Sequence, residues 1–191
     1  VRHANWLKDA GSAMWTVFRN PQSIICGLIS GLIFIPTTIF DMVWGVSFLQ
    51  EAHGMPYEVA GLRSAAVPFG WIMGCPLLGW ICDRIGRRKP VIIGGAAVLF
   101  LSMAFALFGP VGMFPPYTLA LVAGIASGAA IIPYTVIKEA NRPEHAGTAT
   151  GVINFINFSF SAVLGPMFAA RLVRISGGDD RVLADYQATF Q

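Results

Sequence analysis

The chain has 191 residues, of which 55% are hydrophobic and only 12% charged. That charged share is about half of what a soluble domain carries, too little to clothe a surface facing water, and the mean hydropathy of +0.63 agrees. The formal net charge of +3 sits in short clusters between apolar runs rather than in a basic stripe, which argues against a nucleic-acid partner and for a membrane.

Residues 1–22 hold Trp6, Lys8, Asp9 and Arg19 and lack the apolar core of a secretory signal. Five long apolar segments follow, at 24–49, 61–82, 91–108, 117–137 and 148–173. Each is long enough to cross about 30 Å of hydrocarbon as a helix, the form that satisfies its own backbone in lipid. The connections carry turn formers, as in "EAHGMPYE", "FGPVGMFPPY" and "KEANRPEHAG". The expectation is an all-α, polytopic membrane bundle.

In the first span Asp41 is the one ionisable residue read as lying well inside. An intramembrane carboxylate costs about 2.5 kcal/mol or more, so it is expected to face the bundle interior or water. Thr37, Asp41 and Trp44 follow at i, i+4 and i+7, a single face of an α-helix. Two readings stand side by side: Asp41 contacts a solute or exchanges a proton, or it pairs with a polar group on another helix.

Between the second and third spans lies "GWICDRIGRRKP", with five charged residues bounded by charge-free runs. Gly86 permits a tight turn and the basic residues anchor it to one membrane face. The fifth span carries Asn154, Asn157 and Ser161 at helical spacing, either as solute contacts or as hydrogen-bonding glue between helices. Gly27/Gly31, Gly70/Gly74, Gly124/Gly128 and Gly147/Gly151 have the spacing that lets helix backbones approach closely.

With the N-terminus cytoplasmic, nine Lys and Arg residues fall inside and four, Arg63, Arg171, Arg174 and Arg181, outside, which sets the expected orientation. Cys26, Cys75 and Cys82 form no metal or disulfide pattern, and no nucleophile–base pair or phosphate-binding loop occurs. No enzymatic activity, metal or cofactor is expected.

The charged turn resembles motif A of the major facilitator superfamily, G-x-L-x-D-R-x-G-R-R, found between the second and third helices of a six-helix repeat. The match falls on Gly79, Asp83, Arg84, Gly86, Arg87 and Arg88, with Ile81 where Leu is usual. The resemblance implies a latch in which Asp83, Arg87 and Arg88 stabilise an outward-open state. It further implies that residues 1–22 end a cytoplasmic linker, that 23–173 are helices one to five of a C-terminal six-helix half, and that 174–191 form an outer loop and the truncated start of the sixth. The expected function is secondary active transport of a small organic solute, coupled to protons through Asp41, in a bacterial inner membrane. The partners implied are the solute, protons, the lipid bilayer and a missing N-terminal half. The alternative is a non-transporting sensor or assembly partner of the same fold.

Overall fold

The computed structural model describes residues 6–109, 116–177 and 181–189, and among these every regular element is a helix. Arg2 and most of the turn expected after the third span lie outside the described residues. A short amphipathic helix, α1 (Trp6–Arg19), precedes five helices long and apolar enough to cross a bilayer: α2 (Pro21–His53), α3 (Tyr57–Ile85), α4 (Lys89–Phe108), α5 (Tyr117–Glu139) and α6 (Pro143–Ser176). A single further stretch, α7 (Leu183–Thr189), follows.

The spans run several residues past their apolar stretches, because caps rather than hydropathy set their ends. Asn20 Oδ1 accepts from the Gln22 N–H (3.0 Å) with Pro21 at the first position, where its missing N–H costs nothing. At the other ends α2 and α3 stop at Gly54 and Gly86, whose φ angles of +62° and +67° favour a residue without a Cβ.

α2 changes character midway. From Pro36 to Trp44 it is a π-helix. Pro36 lacks the donor that would hold the preceding turn, and the Thr37 and Thr38 hydroxyls donate back to the Phe34 carbonyl (3.0 and 2.8 Å). The wider turn rotates each residue by less than an α-helix does, so positions that would share an α-helical face are spread around the helix.

The most extensive helix contact among the described residues is between α3 and α5. A Cβ on Gly70 would stand 2.6 Å from the Leu121 carbonyl oxygen and 2.7 Å from Gly124 Cα, and one on Gly128 would stand 2.7 Å from the Gly74 carbonyl carbon. Gly27 and Gly31 play the same part against α6, through Ile156 and Phe160. The Gly147/Gly151 pair, and Gly79, where the sequence also suggests a close approach of a neighbouring helix, differ from expectation: a methyl there would meet nothing within 4 Å, because they face away from neighbouring helices. Outward-facing Phe69, Ile72, Ile93, Phe100 and Leu101 are exposed, as a lipid-facing surface requires.

Candidate functional site

α5 breaks its α-helical ladder at a short 3-10 turn, Gly128–Ile131, just before Pro133. There the Ser30 hydroxyl of α2 donates to the Ala130 carbonyl (3.0 Å). Asn157 of α6 donates from Nδ2 to Ser30 Oγ (3.0 Å) and to the Tyr134 hydroxyl (3.1 Å). Tyr134 in turn donates to Asn154 Oδ1 (2.6 Å). One chain of hydrogen bonds thereby ties α2, α5 and α6 together, with Asn157 buried at 5% exposure and Asn154 half-buried.

Beside this chain lies a cavity of about 520 Å³ whose lining includes Phe34, Thr38 and Trp44 of α2, Tyr134 of α5, and Asn154 and Ser161 of α6. The sequence-expected residues separate at this point. Trp44, Asn154 and Asn157 border the cavity. Thr37 is fully buried and Asp41 is 3% exposed, and neither is among the lining residues. The π-helical segment turns Trp44 toward the cavity and Asp41 toward α3.

Asp41 instead meets a residue that the charge count placed on the outer side. Arg63 belongs to α3, is 6% exposed, and lies within Coulombic reach of Asp41. Asp41 is therefore not the only buried ionisable group. The Ser64 hydroxyl donates to the Asp41 backbone carbonyl (2.9 Å), and a Cβ at Gly45 would stand 2.9 Å from both Asp41 Oδ1 and Ser64 Oγ. Gly45 thus leaves the space in which the carboxylate sits.

At the charged turn Gly86 caps α3 through its N–H to the Cys82 carbonyl (2.9 Å). Arg88 forms a two-pronged pair with Glu139 at the end of α5, Nη1 to Oε2 and Nη2 to Oε1 (2.6 Å). The hydrogen bond to Glu139 holds the Arg88 guanidinium above its ordinary value. Asp83 acts on Arg88 only at Coulombic range, Arg84 lies over the Trp80 ring at 5.3 Å, and Arg87 and Asp83 are exposed. Gly79 has open space around it. Glu139 was missed because the two residues are 51 positions apart; its signal was an acidic residue closing an apolar span.

The opposite end carries a second set of contacts absent from the sequence reading. The Tyr186 hydroxyl of α7 donates to Glu51 Oε2 (2.7 Å), and Arg181 approaches Glu51 Oε1 at 3.6 Å. Burial, reinforced by the Glu51 carboxylate, pushes the Tyr186 hydroxyl above the usual phenol value. Arg181 also sits over the Trp44 ring at 5.5 Å, and Phe168 packs beside the same ring at 5.8 Å. Among the described residues no group of three or more His, Cys, Asp or Glu is placed to hold a metal ion.

A family model described as Major Facilitator Superfamily matches residues 2–166. Among curated proteins, the chain is 32% identical over 146 residues to a gallate transporter of Pseudomonas putida, covering 74% of this chain and 29% of that protein. It is 23% identical over 194 residues to an uncharacterized MFS-type transporter of Mycobacterium tuberculosis, covering 81% and 43%. It is 38% identical over 85 residues to the probable transporter mch1 of Neurospora crassa, covering 44% and 13%. The chain thus spans less than half the length of these relatives. No solved structure gives a significant match.

Proposed function

The chain belongs to the Major Facilitator Superfamily, and from that footing we propose that it serves in secondary transport of a small organic solute by alternating access. The observation that carries the reading is the 520 Å³ cavity, which has the size of a small-molecule site and combines aromatic walls with a few fixed polar groups. Among the described residues it is bordered by α2, α5 and α6, and a second half of the transporter would complete it. An apolar trough of about 790 Å³ between α2, α4 and α6, reaching Arg171 beside α7, offers a seat for a sixth helix.

Proton coupling is assigned to Asp41. A carboxylate almost shut off from solvent beside a buried arginine has two distinct charge states, and each favours a different packing of α2 on α3. Arg88 and Glu139 are proposed as the cytoplasmic latch, with Asp83 acting on Arg88 at longer range and Arg84 and Arg87 as membrane-face anchors. The orientation is N-terminus inside, in the bacterial plasma membrane. Burial of Arg63 strengthens it, since only Arg171, Arg174 and Arg181 remain as outer cations.

The test uses the complete transporter in proteoliposomes containing a pH-sensitive dye, with a panel of amino acids, nucleosides, sugars and organic acids including gallate. A solute that moves protons with wild type and not with Asp41→Asn supports both parts. Removing one member of a buried pair threatens folding, so Asp41→Asn/Arg63→Gln is measured alongside. Solute flux with unaltered proton movement in a folded Asp41 variant overturns the coupling assignment. No flux for any solute from well-folded protein overturns transport.

A further inference from the structure

Two aromatic rings of the cavity wall are held rigid by residues outside its lining. Phe34 stacks on Trp71 with centroids 4.9 Å apart and planes 19° from parallel, and the Trp71 indole N–H is itself bonded to Ser127 Oγ. Trp44 has the Arg181 guanidinium 5.5 Å from its ring centroid and the Phe168 ring tilted beside it at 5.8 Å. Rings clamped this way lose little further freedom when a ligand arrives, which is what makes an aromatic side chain an effective recognition platform. Both stand on α2, ten positions apart in sequence, and Phe158 borders the cavity from α6.

The polar side of the cavity is specific in what it leaves unused. Asn157 spends both amide donors on Ser30 and Tyr134, and Tyr134 spends its proton on Asn154 Oδ1. The Asn154 amide nitrogen makes no hydrogen bond among the described residues. Thr38 and Ser161 donate to backbone carbonyls, at 2.8 and 3.4 Å, and keep their oxygens as acceptors. The wall therefore presents the Asn154 amide as a donor and the Thr38 and Ser161 hydroxyl oxygens as acceptors, and Asn157 Oδ1 is a further acceptor, buried and without a hydrogen-bond partner among the described residues. None of the lining residues is charged at neutral pH. The nearby charges already have partners: Asp41 lies within Coulombic reach of Arg63, and Arg181, over the Trp44 ring, approaches Glu51 Oε1 at 3.6 Å. A charged group brought here would lose its hydration without gaining a counter-charge.

We infer that this half of the cavity binds a ring-bearing solute through an uncharged, hydroxylated or carbonyl-bearing end, the ring lying against Trp44 and Phe34 and an oxygen accepting from Asn154 Nδ2. The inference rests on the transport reading above. Two further cavities do not share these features, since each is lined almost wholly by aliphatic and phenyl side chains, with Arg171 at the edge of one.

The test is ligand-induced thermal stabilisation of the complete, detergent-solubilised transporter, with catechol, benzyl alcohol, benzoate and glycerol as probes. Catechol and benzyl alcohol are expected to stabilise it at concentrations where glycerol does not. Asn154→Leu is expected to weaken catechol about three- to tenfold, the loss of one neutral hydrogen bond, while the ligand-free melting temperature stays near wild type. Trp44→Leu abolishes the response and Trp44→Phe restores most of it. Glycerol equal to catechol, benzoate tighter than benzyl alcohol, or catechol binding indifferent to both Asn154→Leu and Trp44→Leu each overturns the inference. Failure of the parent reading looks different: ring compounds bind through Asn154 and Trp44, yet nothing crosses the proteoliposome membrane.

Discussion

α5 presents two unlike surfaces to its neighbours. Toward α3 it offers glycine, and the two backbones touch with no side chain between them. Toward α2 and α6 it offers Tyr134 and the buried Ala130 carbonyl, and the helices are joined through hydroxyls and amides beside an open cavity. The first contact has one close-packed solution and resists displacement. The second is a set of separate hydrogen bonds that average well under the cost of a backbone clash. Motion in this bundle is therefore expected along the α2–α5–α6 side, with α3 and α5 moving as one body.

The largest effect should come from breaking the rigid side. A methyl at Gly74 or Gly124 would overlap the backbone carbonyl of Ile125 or Val67, which cannot rotate away as a side chain does. Gly74→Ala is expected to destabilise by about 3 kcal/mol, at the upper end of what an overpacked core costs. The readout is the melting temperature in detergent together with the yield of monodisperse protein. A Gly74→Ala protein as stable as wild type would mean that α3 and α5 are not in backbone contact.

The polar side should give way more gently. Asn157→Leu strips Ser30 and Tyr134 of a donor and is expected to destabilise by about 1 kcal/mol, as buried interhelical hydrogen bonds in membranes do. Asn154→Leu removes one acceptor from Tyr134 and should disturb the melting temperature less than Asn157→Leu, while disturbing solute affinity more. If the order is reversed in both measurements, Asn154 is the structural residue and Asn157 the solute contact.

How far these surfaces were legible in sequence follows from what sets them. The five spans and the turn at Gly86 came from hydropathy and a backbone requirement, both local. The glycine spacing announced helix contacts, but 70/74 and 124/128 are used while 147/151 is not, since spacing does not say which face has a neighbour. The π-helical stretch Pro36–Trp44 arises from threonine hydroxyls bonding back to Phe34, and it overrode the α-helical periodicity that grouped Trp44 with Asp41. Arg63 was counted among the outer cations because it stands near the start of its apolar stretch, whereas α3 begins at Tyr57 and places it nearly two turns inside the helix. Pairings such as Arg88–Glu139 and Arg181–Trp44 join distant parts of the chain, and no local pattern carries them.

The unused glycine pair offers a change of sign. Gly151 is exposed with open space about its Cα. Gly151→Ala then gains helix propensity without a clash and is expected to stabilise by about 0.5–1 kcal/mol. Destabilisation of the complete transporter would instead reveal that this face of α6 meets another helix closely, outside the residues described.

The smallest change in stability, and the most informative about conformation, is expected at Arg88 and Glu139. Both side chains are well exposed, 38% and 54%, so their pairing is screened by water and removing it should leave the melting temperature unresolved from wild type. Its consequence lies in which helices it joins. Arg88 heads α4 at the turn after α3, and Glu139 closes α5, so the pair spans one rim of the body that the glycines hold together. A latch acts by being present in one state and absent in another, and an exposed pair suits that role better than a buried one, which would be too costly to open. Arg88→Glu and Glu139→Arg should each slow transport with little effect on folding, and the double exchange should recover much of the rate because the charges again attract. If the double variant is as slow as the worse single one, the two residues act separately, and the glycine contact alone holds that end of the bundle.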